Sequence, residues 1–278
     1  PAELPARPEY FKDDFGVVWN RTGADKDIGV ICEPIIAEPD ISLYPTPYLN
    51  EARIREECER LASSRKDAFK FYGIGFSLFE RLWSYCGMEN ALVYMATEPE
   101  FTERLLDKIC DFNLKVIEIV NEYKFDGFYF GDDWGSQTGL IMGPTYWRKY
   151  IKPRLKRMYD AAHKDGKYVL QHSCGNILDV FPDLIEIGLN CYQTFQPEIY
   201  DVAAVKEKYG KELCFWGGVS TQRLLPYATA DQIREEIRKL SRVMRKGGGY
   251  ILAPTHAMPA DIPPENVKVM IDEFIHQN

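Results

Sequence analysis

The spacing of apolar positions divides the chain into a short β-like opening and a long stretch in which strands and helices alternate. Two short β-like runs, 16–20 and 28–32, flank the turn-prone Thr22-Gly23-Ala24-Asp25 and lead into a Pro-rich loop from Pro34 to Pro47. This predicts an N-terminal β-hairpin and a surface loop over residues 1–49, followed by one barrel-like domain over 50–278. Helices are predicted over 51–63 and 78–85, with a strand over 68–72 between them. Thr97-Glu98-Pro99-Glu100 reads as a capping box opening a long amphipathic helix, 101–123, whose apolar positions fall at 105, 106, 109, about 113–114, 117 and 120. Strands then recur at 127–131, 168–172, 191–195, 213–217 and 250–253. Helices at 145–163, 177–187, 202–209, 230–245 and 264–276 follow them in turn, the fourth with its own capping box of Thr229 and Gln232.

Repeated strand–helix units imply parallel strands joined by right-handed crossovers. Six such units are visible, and no Gly-x-Gly-x-x-Gly follows any of the strands. The expected fold class is α/β, a (β/α)8 TIM barrel with two units unaccounted for, and an open doubly wound sheet is the alternative. Gly247-Gly248-Gly249 precedes a strand, which makes it an αβ loop and not a phosphate cradle.

Composition narrows the partners. The 278 residues carry 34 Lys+Arg against 42 Asp+Glu, a net charge of -8, and no concentrated basic run, so a nucleic-acid surface is not expected. No apolar run approaches the roughly 18 residues of a membrane span, and the polar, acidic start is unlike a secretory signal. Seven cysteines, an odd number without paired spacing, suggest free thiols in a reducing compartment, hence a cytoplasmic protein. The sequence begins at Pro1 without Met, as a fragment would.

In a barrel, chemistry gathers at the C-terminal ends of the strands. Four polar clusters fall there: Gly131-Asp132-Asp133-Trp134, Gln171-His172-Ser173-Cys174-Gly175, Gln193-Thr194-Phe195-Gln196 and Pro254-Thr255-His256-Ala257. His172 and Cys174, two apart at a strand end, face one way about 7 Å apart at Cα, close enough to share an ion. A third ligand from elsewhere would make a zinc site with an open position; a packed cysteine beside a hydrogen-bonded histidine is the competing reading. His256 holds the same strand-mouth position, whereas His163 and His276 fall at a helix end and in the C-terminal tail. Asp132 and Asp133 are candidate catalytic carboxylates; being adjacent on a strand, they point opposite ways, so only one serves the site and the other caps a neighbouring element. Tyr72, Glu80, Trp134, Gln171, Gln193 and Trp216 are candidates for substrate binding as pocket lining, with packing as the alternative.

The motifs His172-Ser173-Cys174-Gly175, Phe215-Trp216-Gly217-Gly218-Val219-Ser220, His256 and Pro263-Pro264-Glu265-Asn266-Val267 resemble the uroporphyrinogen decarboxylase and corrinoid-dependent methyltransferase superfamily, from about Ala68 to the C-terminus. The 14–32 hairpin resembles an insertion found in some members. The resemblance implies a (β/α)8 barrel in which the 68–72 strand is the third, so that this chain lacks the first strands, which would lie upstream of Pro1. The methyltransferases share the His-x-Cys pair, which binds zinc there together with a cysteine at the position of His256. By that resemblance His172, Cys174 and His256 would hold Zn2+, Asp132 or Asp133 with Gln171 and Gln193 would orient ligands or substrate, and the partners would be a corrinoid (cobalamin) protein and a small methoxy, methylamine or thiol methyl donor or acceptor. No nucleic-acid or membrane partner is expected, and a homo-oligomer is left open. The decarboxylases proper do not carry the His-x-Cys-Gly motif. Cofactor-free tetrapyrrole decarboxylation, or a non-catalytic corrinoid- or tetrapyrrole-binding barrel, are the alternatives.

Overall fold

The computed structural model of the chain describes residues 2–4, 7–22 and 29–276. These fall into two compact units, one of residues 1–132 and 144–167 and the other of 133–143 and 168–278.

The first unit opens with an antiparallel sheet of four strands, β1 (Ala2–Leu4), β2 (Arg7–Lys12), β3 (Val18–Asn20) and β4 (Val30–Ile31), in that order. The expected pairing of the two runs is present, Trp19 opposite Ile31 and Asn20 opposite Val30, while the turn between them falls at 23–28, outside the described residues. Strands β1 and β2 occupy a stretch that reads as loop. What holds the sheet is tertiary: Asp13 accepts from the backbone of Phe15 and Val17 at 2.9 Å, from Trp19 Nε1 at 3.1 Å and from the Arg81 guanidinium at 3.0 Å. Arg81 in turn lies 3.7 Å over the Phe15 ring, and Trp19 packs edge-on against Phe76 and Trp83.

Then come α1 (Glu51–Ala62), β5 (Phe71–Ile74), α2 (Phe79–Cys86), α3 (Met88–Thr97), α4 (Pro99–Val120), β6 (Gly127–Gly131), a short α5 (Gly143–Tyr146) and, after a π-helical turn, α6 (Lys152–Ala162). Strand β5 pairs in parallel with β6 and begins three residues later than the pattern suggested. Helix α4 buries Leu105, Leu106, Ile109, Asn113, Ile117 and Val120, the expected face. The capping box at its start is not formed: Thr97 ends α3 and its hydroxyl donates to Val93 O at 3.0 Å, so the break between the helices is made by Pro99.

The second unit holds β7 (Tyr168–His172), α7 (Phe181–Glu186), β8 (Cys191–Phe195), α8 (Val202–Tyr209), β9 (Cys214–Val219), α9 (Leu224–Tyr227), α10 (Ala230–Met244), β10 (Tyr250–Pro254) and α11 (Pro264–His276). Its strands run parallel in the order β7-β8-β9-β10, each joined to the next through a helical connection. Thr229 and Gln232 form the predicted capping box of α10. Its inner face, Ile233, Ile237 and Leu240, packs with Val219, Leu225, Ile262 and Met270. Each fully buried side chain of this kind contributes ~1.5–3 kcal/mol. Asn266 explains the Pro-Pro-Glu-Asn segment locally: from the first turn of α11 its amide donates to Leu225 O at 2.8 Å and Ala228 O at 3.2 Å, fixing that helix on the end of α9. Gly247, Gly248 and Gly249 all have positive φ and form the predicted αβ loop. The class is therefore α/β with parallel strands, as the sequence predicts; six of them, not eight, lie among the described residues. No described helix is long and apolar enough to cross a membrane.

Candidate metal centre

Strand β7 ends at His172, the loop after it carries Cys174, and the loop after β10 carries His256. One ligand atom from each of the three lies within 4.8 Å of the others. Cys174 Sγ is 3.7 Å from His172 Nε2. For a zinc bound at ~2.3 Å from sulfur and ~2.0–2.1 Å from nitrogen, the tetrahedral S–N edge is about 3.6 Å, so this pair already has the spacing of two ligands.

The surrounding hydrogen bonds aim His172. Register sets Gln193 on β8 opposite it, and Gln193 Oε1 makes a short hydrogen bond with Nδ1. Gln193 is itself held by Nε2 donating to Thr255 O at 3.3 Å. With Nδ1 engaged, Nε2 faces the cluster and lies 3.2 Å from Asp133 Oδ1, which also accepts from the Cys174 backbone at 2.7 Å.

These contacts set the charges. Burial opposes charge on His172, but the hydrogen bonds to Asp133 and Cys174 outweigh it and push the imidazole up to about 10. Burial likewise works against ionised Asp133 and Cys174, yet the histidines beside them hold both below their ordinary values. His256 is raised, chiefly by its hydrogen bond with Cys174. Without metal the cluster is thus an imidazolium clamped between acceptors, next to a thiol with thiolate character; with metal, the proton on Nε2 is the one that must leave.

The loop that carries Cys174 is tightly built. Gly175 has φ +76°, and a Cβ there would sit 2.2 Å from the Gly135 backbone. A Cβ on Gly135 would reach 2.6 Å from Cys174 O, so only two glycines allow this crossing. Ser173 Oγ accepts from Trp134 N at 3.0 Å. Beneath the loop two buried tyrosine hydroxyls meet at 3.1 Å; Tyr192 donates to Ser173 O at 3.0 Å and Tyr200 to Gly175 O at 2.9 Å. Gln196 Oε1 accepts from Gly175 N at 3.1 Å.

Of the two adjacent aspartates, Asp133 joins the histidine and cysteine. Asp132 is fully buried, and its carboxylate accepts from Phe79 N at 2.9 Å and Glu80 N at 2.7 Å, at the start of α2. Of the residues expected to line a pocket, Gln193 contacts His172 directly, while Gln171 is buried and donates through Nε2 to His172 O at 2.8 Å. Trp134 is fully buried in the loop packed on Ser173, and Trp216 lies on β9 opposite Ile251. In the first unit, the Tyr72 hydroxyl donates to Glu57 Oε2 at 3.2 Å, and Glu80 is buried in the first turn of α2. Sequence reasoning named Ser173 and Gln196 only as members of the polar clusters, without a role, and missed Tyr192, Tyr200 and Gly135. Glycines at 135 and 175, each within the loop that follows a polar strand end, were a usable signal; the tyrosines left none.

A family model for uroporphyrinogen decarboxylase (URO-D) matches residues 24–276. The chain belongs to the URO-D family. Among its relatives are the uroporphyrinogen decarboxylases of Psychromonas ingrahamii, 27% identical over 63% of this chain and 48% of that protein, and of Mannheimia succiniciproducens, 25% identical over 66% and 50%. The chain spans about half the length of the curated relatives it matches. A solved methyltransferase from Methanosarcina mazei superposes with a TM-score of 0.70 over 94% of this chain and 75% of that one, at 18% identity. A B12-independent methionine synthase from Shewanella sp. W3-18-1 gives 0.50 over 78% and 64%, at 10% identity. At such identities these likenesses speak to the fold, which is of the TIM-barrel type expected for a URO-D protein.

Proposed function

We propose that this URO-D chain is a zinc-dependent methyltransferase, cytoplasmic, that moves a methyl group between a small methoxy, methylamine or thiol substrate and the cobalamin of a partner corrinoid protein. The observation that carries the reading is the convergence of His172, Cys174 and His256 on one point, with the Nε2–Sγ separation of two tetrahedral ligands. These three residues would hold the ion. Zinc bound there would supply Lewis acidity to a substrate oxygen or lower the pKa of an acceptor thiol. The protein's own part is orientation and proton handling. Gln193 keeps the Nδ1 proton of His172 in place and so leaves Nε2 for the ion. Asp133, partly exposed and held ionised, takes the role of acceptor for a proton shed by the substrate.

A second reading, cofactor-free decarboxylation of a tetrapyrrole, is supported by the names of the sequence relatives. In that reading the cluster is a packed, hydrogen-bonded trio with no ion. Elemental analysis of protein purified without added metal separates the two. About one zinc per chain, lost in His172→Ala and in His256→Ala, followed by methyl transfer to cob(I)alamin detected by its absorbance change, is the expected result. No stoichiometric metal in the parent protein overturns the proposal and leaves the decarboxylase reading.

A further inference from the structure

Strands β8 and β9 each begin with a cysteine, and in the parallel ladder Cys191 and Cys214 are register partners. Register partners project to the same face of a sheet, and neighbouring strands lie about 4.8 Å apart, inside the Cα range of about 4.4–6.8 Å that a disulfide spans. The two thiols are near enough to shift each other's titration. Cys191 is buried and Cys214 is partly open to solvent. The Lys206 ammonium of α8 lies beside Cys214, with its Nζ anchored on Gly248 O at 2.5 Å. None of these residues belongs to the His172 cluster.

We propose that Cys191 and Cys214 form a reversible disulfide in response to a peroxide, with Cys214 as the attacking thiol and Cys191 as the resolving one. The Cys214 thiolate attacks one oxygen of hydrogen peroxide; the O–O bond breaks, a sulfenic acid forms, and the leaving hydroxide takes up the proton that Cys214 released on ionising and becomes water. Cys191 sulfur then attacks Cys214 Sγ; the S–S bond forms, the S–O bond breaks, and the departing hydroxide takes the Cys191 proton as a second water. Two thiols are oxidised by one electron each and one peroxide is reduced to two waters. The division of labour follows from surroundings. Cys214 is the thiol open to solvent, and the neighbouring Cys191 with the nearby Lys206 charge holds it below the ordinary thiol range against the effect of burial, whereas Cys191 is buried and raised. Cys86 and Cys110, raised by burial to about 12 and about 11, have no such setting.

The test is hydrogen peroxide on the intact purified chain, followed by alkylation, digestion under non-reducing conditions and mass spectrometry. The expected result is a peptide pair joined through Cys191 and Cys214, reversed by dithiothreitol. It is absent from Cys191→Ser and Cys214→Ser variants whose far-UV circular dichroism matches the parent. Recovery of both residues as alkylated thiols, or of oxidised Cys214 with Cys191 still alkylated, overturns the proposal. Because the readout is a cross-linked peptide and not activity, it does not depend on the zinc reading, and digestion with a protease that cuts after Asp and Glu, at Asp179, Asp183 and Glu186, separates Cys174 from Cys191 so that oxidation at Cys174 appears on a different peptide.

Discussion

Replacing Asp132 by Ala distinguishes two carboxylates that sit next to each other in the sequence and do different work. Helix α2 has no side-chain cap of its own: its N-cap is Leu78, which makes no side-chain cap hydrogen bond. Asp132 supplies the missing acceptor from the end of β6, taking the amides of Phe79 at 2.9 Å and Glu80 at 2.7 Å in a fully buried setting. Removing it strands two buried donors, at about 1–3 kcal/mol each. It also removes a negative charge from the positive end of a helix, worth about 0.3–1 kcal/mol or somewhat more when buried. The expected loss is therefore about 3–5 kcal/mol, a large part of the 5–15 kcal/mol that typically holds a domain together. With a urea dependence of about 3 kcal/mol/M or more for a chain of this size, the unfolding midpoint should fall by about 1 M. Asp132→Asn, which keeps an acceptor and loses the charge, should cost less than half of that. Zinc content of whatever remains folded should be unchanged. A midpoint within 0.2 M of the parent, or zinc lost from Asp132→Ala at unchanged stability, would refute the assignment and return Asp132 to the list of catalytic candidates.

Four further outcomes follow from the cluster. In the metal-free protein the His172 imidazole, ordinarily near 6.5, is pushed up to about 10, so its contribution to stability is present below about pH 6.5 and is lost as pH rises through about 10. Urea titrations from pH 6.5 to 10 should show that decline and should lose it in His172→Gln. For the same reason zinc must displace a proton from Nε2, and the apparent zinc affinity, measured by chelator competition, should rise roughly tenfold per pH unit between about pH 7 and 9; a flat profile would mean that His172 is not a ligand. Gln193→Leu, which frees the Nδ1 side of His172, should weaken zinc binding about 10–100-fold while circular dichroism is retained. Gly175→Ala, placing a Cβ 2.2 Å from the Gly135 backbone at φ +76°, should cost more than about 2 kcal/mol in thermal unfolding and should release zinc, since the Cys174 loop cannot keep its path.

Much of the second unit was legible because local and global signals agree there. Helix α10 announces itself by Thr229, Gln232 and an apolar stripe at 233, 237, 240 and 244, and each strand ends where polar residues begin. The first unit was harder. Strand β2 contains Pro8 and charged residues, and β3 has only three residues; their pairing is stabilised by Asp13, Trp19 and Arg81, which meet across 68 positions of sequence. Thr97-Glu98-Pro99-Glu100 has the letters of a capping box, but the threonine belongs to the preceding helix, because α3 runs on to it. At the site, Asp132 and Asp133 take different partners as expected, but not by strand alternation, because β6 ends at Gly131 and both lie in the loop beyond it. Which of them served His172 depended on strand ends that the pattern does not specify. The Gln193–His172 contact likewise depends on register between β7 and β8, and the Tyr192–Tyr200 pair under the loop on packing alone.

The donor set bears on which chemistry the site would favour. All three donors sit at or just beyond the C-terminal ends of parallel strands, the edge where such folds vary their residues while the framework stays fixed. By the resemblance of the His-x-Cys motif, the methyltransferases of the superfamily would carry a cysteine where this chain has His256. A divalent ion between two neutral imidazoles and one thiolate keeps a net charge of +1; with a second thiolate that charge is zero. The lower electron donation of two imidazoles would make an ion at His172, Cys174 and His256 the stronger Lewis acid, better matched to a substrate oxygen than to an already soft thiolate. Asp133, held ionised 3.2 Å from His172 Nε2, lies where it compensates that surplus charge. Within the proposed function this weights the choice of methyl substrate towards methoxy compounds over thiols, and it does so through a single ligand position.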